Sequence, residues 1–221
     1  MQGQINKALP QVYSAFDSIV GERNMELYNG PIFREEFPNT EDSHGYYMSN
    51  GFVVGDVTYK GQPYFDQNLK YNIHLDELLI TPKYNPSALL VQLVKSQVDE
   101  FKIDGHRFIQ LNAENFAGED WGYLEVLREH QGSFLLKKHR KKGIESKRGE
   151  RVTIEYERRT EHLLLHGGEL FEVNRKGGWK SVFQNDKKEL NRFYNDYSLT
   201  LKTDKDAFLG LLFDEFIKTE R

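Results

Sequence analysis

A two-residue alternation of hydrophobic side chains is the sequence feature that most constrains the fold. Between residues 45 and 82, Phe52 and Val54 alternate with their neighbours, and the same period returns over residues 69–75. Such alternation is typical of β-strands with one buried face. The turn signal Lys60-Gly61-Gln62-Pro63 separates the two runs, which predicts an antiparallel pair.

Two details refine this first pair of strands. The alternation changes phase at Gly55-Asp56, which predicts a β-bulge there. Asp76-Glu77 forms a short corner before a third apolar run at residues 78–80. Turn signals spaced about ten residues apart are typical of antiparallel sheets.

Turn dipeptides continue the pattern along the chain. Asp104-Gly105, Gln131-Gly132 and Gly167-Gly168 each lie between apolar segments and predict tight hairpins. A further turn at Lys176-Gly177-Gly178 precedes residues 179–183, which we expect to close the β region.

Helical spacing marks both ends of the chain. Apolar residues recur at helical intervals to Gly21, predicting a helix that starts near Leu9. Near the C-terminus, Asp186 with Glu189 and Thr203 with Asp206 resemble capping boxes that precede apolar stripes.

Together these patterns predict a mainly β (α+β) fold. We expect a curved antiparallel sheet, roll or open barrel built from hairpins, with helices at the N- and C-termini. A single domain would span residues 1–221, with a helix and irregular segment at 1–44. An antiparallel β core would follow at 45–183, and C-terminal helices at 184–221.

Composition excludes several function classes. The formal net charge of −4 gives no overall attraction to nucleic acid, so we expect no nucleic-acid partner. The absence of cysteine excludes disulfides, thiolate catalysis and cysteine-based zinc sites. No apolar run is long enough to span a membrane, and the first residues lack a signal-peptide pattern. A cytoplasmic protein and a mature secreted chain both remain open.

Several segments together resemble a group of uncharacterised β-rich proteins common in Bacteroidota, most of which carry signal peptides. The resemblance spans about residues 27–140 and implies an extracytoplasmic location, in the periplasm or at the outer membrane. It implies no activity and no catalytic residues. The segments that carry it are Leu27-Tyr28-Asn29-Gly30, Gly55-Asp56-Val57-Thr58-Tyr59-Lys60-Gly61-Gln62-Pro63-Tyr64, Leu69-Lys70-Tyr71, Asp76-Glu77-Leu78-Leu79-Ile80, Val98-Asp99-Glu100-Phe101, Gly122-Tyr123-Leu124-Glu125-Val126-Leu127 and Leu135-Leu136-Lys137-Lys138.

The strongest charged feature is a basic run, which we interpret either as a solvated hairpin or as a patch for an anionic partner. Gly143 and Gly149 suggest that the run forms a mobile hairpin loop. Such a run can bind phosphate or an anionic surface. Its residues are Lys137, Lys138, Arg140, Lys141, Lys142, Lys147 and Arg148.

An aromatic strip is a second candidate. Tyr59, Tyr64, Tyr71 and Trp121 could line a ligand face, although strand-face packing is the usual role of such residues. The acids Glu114, Glu119 and Asp120 beside Trp121 could serve a glycosidase, or could belong to a surface loop.

His162 and His166 could share a face of one strand, but side chains four residues apart there lie roughly 13 Å from each other. We therefore expect no metal site at these histidines. No segment carries a motif that names a reaction, so we also expect no cofactor and no catalytic residue. The favoured hypothesis is a non-catalytic interaction or structural protein of the bacterial envelope. The alternative is an enzyme or small-ligand-binding protein with an aromatic-lined pocket inside the curved sheet. The oligomeric state is left open.

Overall fold

The computed structural model describes residues 26–35, 40, 42–83, 90–111, 120–148 and 151–218. The predicted helix at residues 9–21 lies outside these ranges. The strands are β1 Val53–Tyr59, β2 Gln62–Asn72, β3 Glu77–Thr81, β4 Val91–Gln92, β5 Val98–Ile103, β6 His106–Leu111, β7 Gly122–His130, β8 Ser133–Arg148, β9 Arg151–His166 and β10 Glu169–Glu172. Four helices follow: α1 Lys176–Val182, α2 Lys187–Asp196, α3 Ser198–Thr203 and α4 Lys205–Phe216. Short 3₁₀ turns lie at Glu26–Tyr28 and Lys95–Gln97.

Within the described ranges, the strands form an antiparallel sheet of ten strands that is not closed. This arrangement confirms the predicted mainly β fold, and the helices of the described residues lie at the C-terminal end of the chain. Consecutive strands pair along most of the sheet because short turns connect them, as antiparallel hairpins require.

Four hairpin turns share one backbone geometry, with positive φ at both central residues. At Gly167-Gly168 the φ angles are 60° and 81°, and Lys60-Gly61, Asp104-Gly105 and Gln131-Gly132 are similar. This is the geometry of type I′ turns, whose twist matches that of the flanking strands. The hairpins predicted at these dipeptides are therefore confirmed.

The predicted bulge is also confirmed, although the extra residue belongs to β2. Gly55 pairs with Gln67 and Val57 pairs with Tyr64, so Asp56 alone faces two residues of β2. One of these two is Asp66, whose φ is 55° and whose backbone N–H donates to Asp56 Oδ1 at 3.0 Å. The Asp56 carboxylate thus satisfies a backbone donor that the irregular register leaves out of the ladder.

Two compact units divide the chain. The first comprises Met1–Gln110 with Arg140–Arg159, and the second comprises Leu111–His139 with Thr160–Arg221. This division does not test the prediction of a single domain, which stays a prediction.

The first unit contains the run of paired strands β6-β5-β1-β2-β3-β4. Its core includes Tyr71, Phe101 and Phe108, all buried. The Phe101 and Phe108 rings stack at 4.7 Å, and the Tyr71 ring meets both edge-on at 5.3 Å. Such aromatic contacts add to the stabilisation from buried apolar area.

The second unit contains β7, the start of β8, the end of β9, β10 and the four helices. Leu135 and Leu164 of its sheet share a hydrophobic core with residues from α1, α2 and α4. The segment from Lys176 to Val182 is helix α1, so the turn and strand predicted there are wrong. Trp179 and Phe183 are four residues apart, which places both on one helical face, where their rings stack at 6.0 Å.

The helix starts near the C-terminus were predicted in part. Asp186 precedes α2 as expected, but its side chain makes no capping hydrogen bond. Asp204, rather than Thr203, caps α4, and its Oδ1 accepts from the Ala207 backbone N–H at 2.9 Å. Aspartate accepts this bond as well as threonine does, so residue type alone did not distinguish the two positions.

Replacing Gly55 by alanine should destabilise the first unit, because a methyl group there would lie 2.1 Å from the Lys102 carbonyl oxygen. We expect a loss of about 2 kcal/mol in the free energy of unfolding, as for other overpacked sites. Gly51→Ala is the control, since its methyl group would lie 3.7 Å from the nearest atom, Ser49 Oγ. Urea denaturation of both variants measures the difference, and equal stability would contradict the close β1–β5 approach.

Candidate functional site

The residues of the predicted aromatic ligand face are buried, the three tyrosines in the first unit and the tryptophan in the second. Tyr59, Tyr64, Tyr71 and Trp121 are all at most 7 % exposed. The Tyr59 hydroxyl donates to Gln97 Oε1, and the Tyr71 hydroxyl donates to Asp76 Oδ1, both at 2.6 Å. This burial agrees with strand-face packing, the other interpretation of the same residues. A ligand face at these residues stays a prediction.

The basic run lies on a strand rather than on a loop, which corrects the prediction from Gly143. It extends along β8 from Lys137 to the end of the strand, and a side chain at Gly143 would meet Ile154 at 2.9 Å. Three of its lysines make internal contacts. Lys137 donates to Asp206, and Lys138 is 2 % exposed and donates to the Tyr123 carbonyl at 3.1 Å.

Lys141 makes the third set of internal contacts, within the first unit. Its Nζ donates to the backbone carbonyls of His44 and Tyr46 at 2.7 and 2.9 Å. Burial, with a smaller effect from Arg158, lowers the Lys141 pKa to about 8. This lysine holds the segment from His44 to Tyr46 against β8.

The remaining basic residues Arg140, Lys142 and Lys147 are exposed, whereas the side chain of Arg148 lies outside the described part of the structure. An anionic partner for this patch stays a prediction, now limited to the exposed residues. Glu114 and Glu119 lie outside the described ranges, and Asp120 Oδ1 accepts from the Gly122 backbone N–H at 3.0 Å.

The two histidines of β9 have separate partners. His166 Nδ1 lies 2.9 Å from Ser133 Oγ, whereas His162 contacts Asp206 and Asn174. Within the described ranges, no three or more His, Asp or Glu side chains are grouped as metal ligands.

Asp206 is the centre of a polar network in the second unit. It lies in the first turn of α4, where a negative charge interacts favourably with the helix dipole. Its Oδ1 lies 2.7 Å from His162 Nε2 on β9, and its Oδ2 accepts from Lys137 Nζ on β8. One carboxylate therefore joins the start of a helix to two neighbouring strands.

His162 is buried and held from both sides. Asn174 follows β10, and its Oδ1 accepts from the His162 backbone N–H at 2.8 Å. The same oxygen lies 3.3 Å from His162 Nδ1, so both ring nitrogens face oxygen atoms. Such second contacts fix the orientation of an imidazole ring.

The network favours the ionised form of Asp206. The hydrogen bond from His162 is the largest cause, and it holds the Asp206 pKa well below the usual range of an aspartate. Lys137 lowers this pKa further, while partial burial opposes both effects.

A cleft of about 650 Å³ adjoins this network. Two of its lining residues are connected to the network: Asn174 accepts a hydrogen bond from His162, and Lys205 directly precedes Asp206 in the chain. The full lining is Thr160, Glu172, Asn174, Arg175, Gly177, Gly178 and Lys205. These residues come from β9, the end of β10, the start of α1 and the start of α4.

Two adjacent glycines shape the cleft in different ways. A methyl group at Gly178 would lie 2.0 Å from the Glu172 carbonyl oxygen, so only glycine allows α1 to start this close to β10. A methyl group at Gly177 would meet no heavy atom within 4 Å. Gly177 therefore faces open space, and a larger side chain there would occupy the cleft.

The cationic side of the cleft is incompletely neutralised. Burial lowers the Lys205 pKa, and Lys137 lowers it further, while Asp206 acts in the opposite direction. Within the described residues, neither Lys205 nor Arg175 has a carboxylate within 4 Å of its side-chain nitrogens. The cleft can therefore attract a negatively charged group.

Sequence reasoning named His162 and the Gly177-Gly178 pair but assigned none of the lining residues to a site. Asn174, Arg175 and Lys205 are polar residues at the edges of elements, and Asp206 was interpreted only as a helix cap. The one available signal was the Asp204-Lys205-Asp206 cluster at a helix start, which is common at capped termini.

Comparison of the chain with protein-family models, with curated proteins and with solved structures found no significant match. None of the helices in the described ranges has the length and apolar character needed to cross a membrane.

Replacing Asp206 by asparagine should lower the free energy of unfolding at pH 7 by about 1–2 kcal/mol. Charge-assisted hydrogen bonds contribute about 1.5–3 kcal/mol to stability. We expect less here because the Asp206 side chain is 37 % exposed and solvent screens its charge. Since the folded-state pKa is lowered, the contribution is present above the unfolded pKa of about 3.9 and is lost as the pH falls through the folded-state pKa. Urea denaturation at several pH values should show the gap between wild type and variant closing in acid.

The matched control is Asp204→Asn, two residues away. Asparagine accepts the capping bond as well as aspartate does, so this variant should stay within about 0.5 kcal/mol of wild type. Equal losses for the two variants, or a gap that does not depend on pH, would contradict the role given to Asp206.

Proposed function

We propose that this protein is a non-catalytic binding protein and that the cleft beside the Asp206 network holds its ligand. The observation that carries this proposal is the lining, where polar side chains from β9, β10, α4 and the loop before α1 converge on about 650 Å³. Small-molecule sites are commonly clefts of roughly 300–1,000 Å³ with a few convergent polar groups.

The network supports a binding role rather than proton transfer. Both oxygens of Asp206 and both ring nitrogens of His162 already contact protein atoms. A general base needs a nitrogen or oxygen within reach of the substrate. These groups are arranged to hold α4, β8 and β9 together, and so to fix the positions of Lys205 and Asn174 around the cleft.

We further propose that the protein acts in the bacterial envelope. This proposal rests on the resemblance of residues 27–140 to the group of β-rich proteins from Bacteroidota, most of which carry signal peptides. In the first unit, the exposed residues Arg140, Lys142 and Lys147 on β8 would contact an anionic partner of the envelope. The alternative of an aromatic-lined pocket is weakened by the burial of Tyr59, Tyr64, Tyr71 and Trp121.

Nuclear magnetic resonance titration tests the cleft as a binding site, with the Gly177 and Gly178 amides as reporters. The probes are glucose, glucuronate, glycine and inorganic phosphate, each added separately. We expect at least one probe to shift both amides and to be recovered chemically unchanged. If no probe shifts these amides, or if a bound probe is converted, the proposal fails.

Gly177→Leu should abolish the shifts, because the side chain would extend into the open space beside Gly177. Lys188→Leu, which places a leucine on the exposed surface of α2, is the control and should bind as wild type does. Loss of binding in both variants would show an indirect effect.

Fractionation of the source cells tests the proposed location. We expect immunoblots to detect the protein in the periplasmic or outer-membrane fraction, separate from a cytoplasmic marker enzyme. Recovery with the cytoplasmic marker would contradict the envelope assignment and leave the cleft proposal unaffected.

A further inference from the structure

The chemistry of the cleft lining narrows the class of ligand. Apart from two glycines, every lining residue among the described residues has a polar or charged side chain. A ligand with a large apolar surface, such as a nucleobase or an acyl chain, would find little apolar contact there. The fitting ligand is therefore polar over most of its surface.

Two of the lining residues, Arg175 and Lys205, are cations. Arg175 presents a planar fork of donors that matches a carboxylate or a phosphate, and Lys205 adds a compact ammonium. Neither has a carboxylate within 4 Å among the described residues, so a ligand anion would supply the missing partner.

The remaining groups match hydroxyls rather than a second anion. Glu172 would repel another negative charge but accepts hydrogen bonds from hydroxyl donors. Asn174 Oδ1 already accepts from His162, which leaves the Nδ2 amide to donate to a ligand oxygen. The Thr160 hydroxyl can donate or accept, as a polyhydroxylated ligand requires.

We propose that the cleft binds a sugar of monosaccharide to disaccharide size that carries one anionic group. Arg175 and Lys205 take the anion, while Glu172, Asn174 and Thr160 take the hydroxyls. The volume of about 650 Å³ accommodates a ligand of this size. The inference rests on the proposed binding function, and it adds that charge and hydroxyls are both recognised.

Isothermal titration of the full chain tests this inference with four probes. Glucuronate and glucose 6-phosphate combine an anion with hydroxyls and distinguish a carboxylate from a phosphate, whereas glucose and inorganic phosphate each present one feature. We expect at least one of the two charged sugars to bind about tenfold more tightly than glucose and phosphate, as one charge-assisted contact implies.

Lys205→Gln and Arg175→Gln should each weaken binding of the preferred charged sugar by about tenfold. Lys202→Gln, an equal change of charge on the exposed end of α3, should change affinity less than about twofold. Unchanged far-ultraviolet circular dichroism and unfolding midpoint would show that each variant keeps its fold.

Glucose binding in the cleft as tightly as the charged sugars would overturn the inference while leaving the binding function in place. The inference would also be overturned if inorganic phosphate bound as tightly as the charged sugars, since the sugar hydroxyls would then contribute nothing to affinity. If no probe binds at concentrations of about 10 mM, both the inference and the proposed function fail. An equal loss in Lys202→Gln would likewise overturn the assigned roles of Arg175 and Lys205.

Discussion

The contact on which the second unit depends is the double interaction of the Asp206 carboxylate with His162 and Lys137. The Asp206 carboxylate is only partly removed from water, and its pairing with two donors offsets the cost of that partial burial. The carboxylate fixes the start of α4 against β8 and β9, and the hydrophobic core formed by Leu135, Leu164 and the helices then packs around that arrangement. The cleft follows, because Lys205 and Asn174 are held by the same contacts.

The sheet could be predicted from sequence because its determinants are local. Turns such as Gly167-Gly168 need positive φ at both residues, and a two-residue period shows which face is buried. Helix α1 could not be predicted in the same way. Its glycines resemble those of a hairpin, and only the spacing of Trp179 and Phe183 indicates a helical face, a signal too short to oppose the β pattern around it.

The candidate site was missed because its residues approach each other only in three dimensions. Thr160 and Lys205 are distant in sequence, and neither belongs to a recognisable motif. The basic run shows the opposite error. A cluster of lysines indicates charge, but not whether each ammonium faces solvent, and here Lys138 is buried while Lys141 holds two backbone carbonyls. Strand alternation does not decide this either, since Lys138, Arg140 and Lys142 share one face of β8, yet only Lys138 is buried. What packs against each part of the strand decides it.

The central physical claim is that His162 and Lys137 keep Asp206 ionised and thereby hold the cleft in shape. Carbon-13 nuclear magnetic resonance of the Asp206 carboxyl group during an acid titration measures this directly on the folded protein. The account predicts that the Asp206 signal still reports a carboxylate at pH of about 3, below the ordinary aspartate midpoint of about 3.9. A midpoint at or above the ordinary value would show that the network does not stabilise the charge, and would contradict the account.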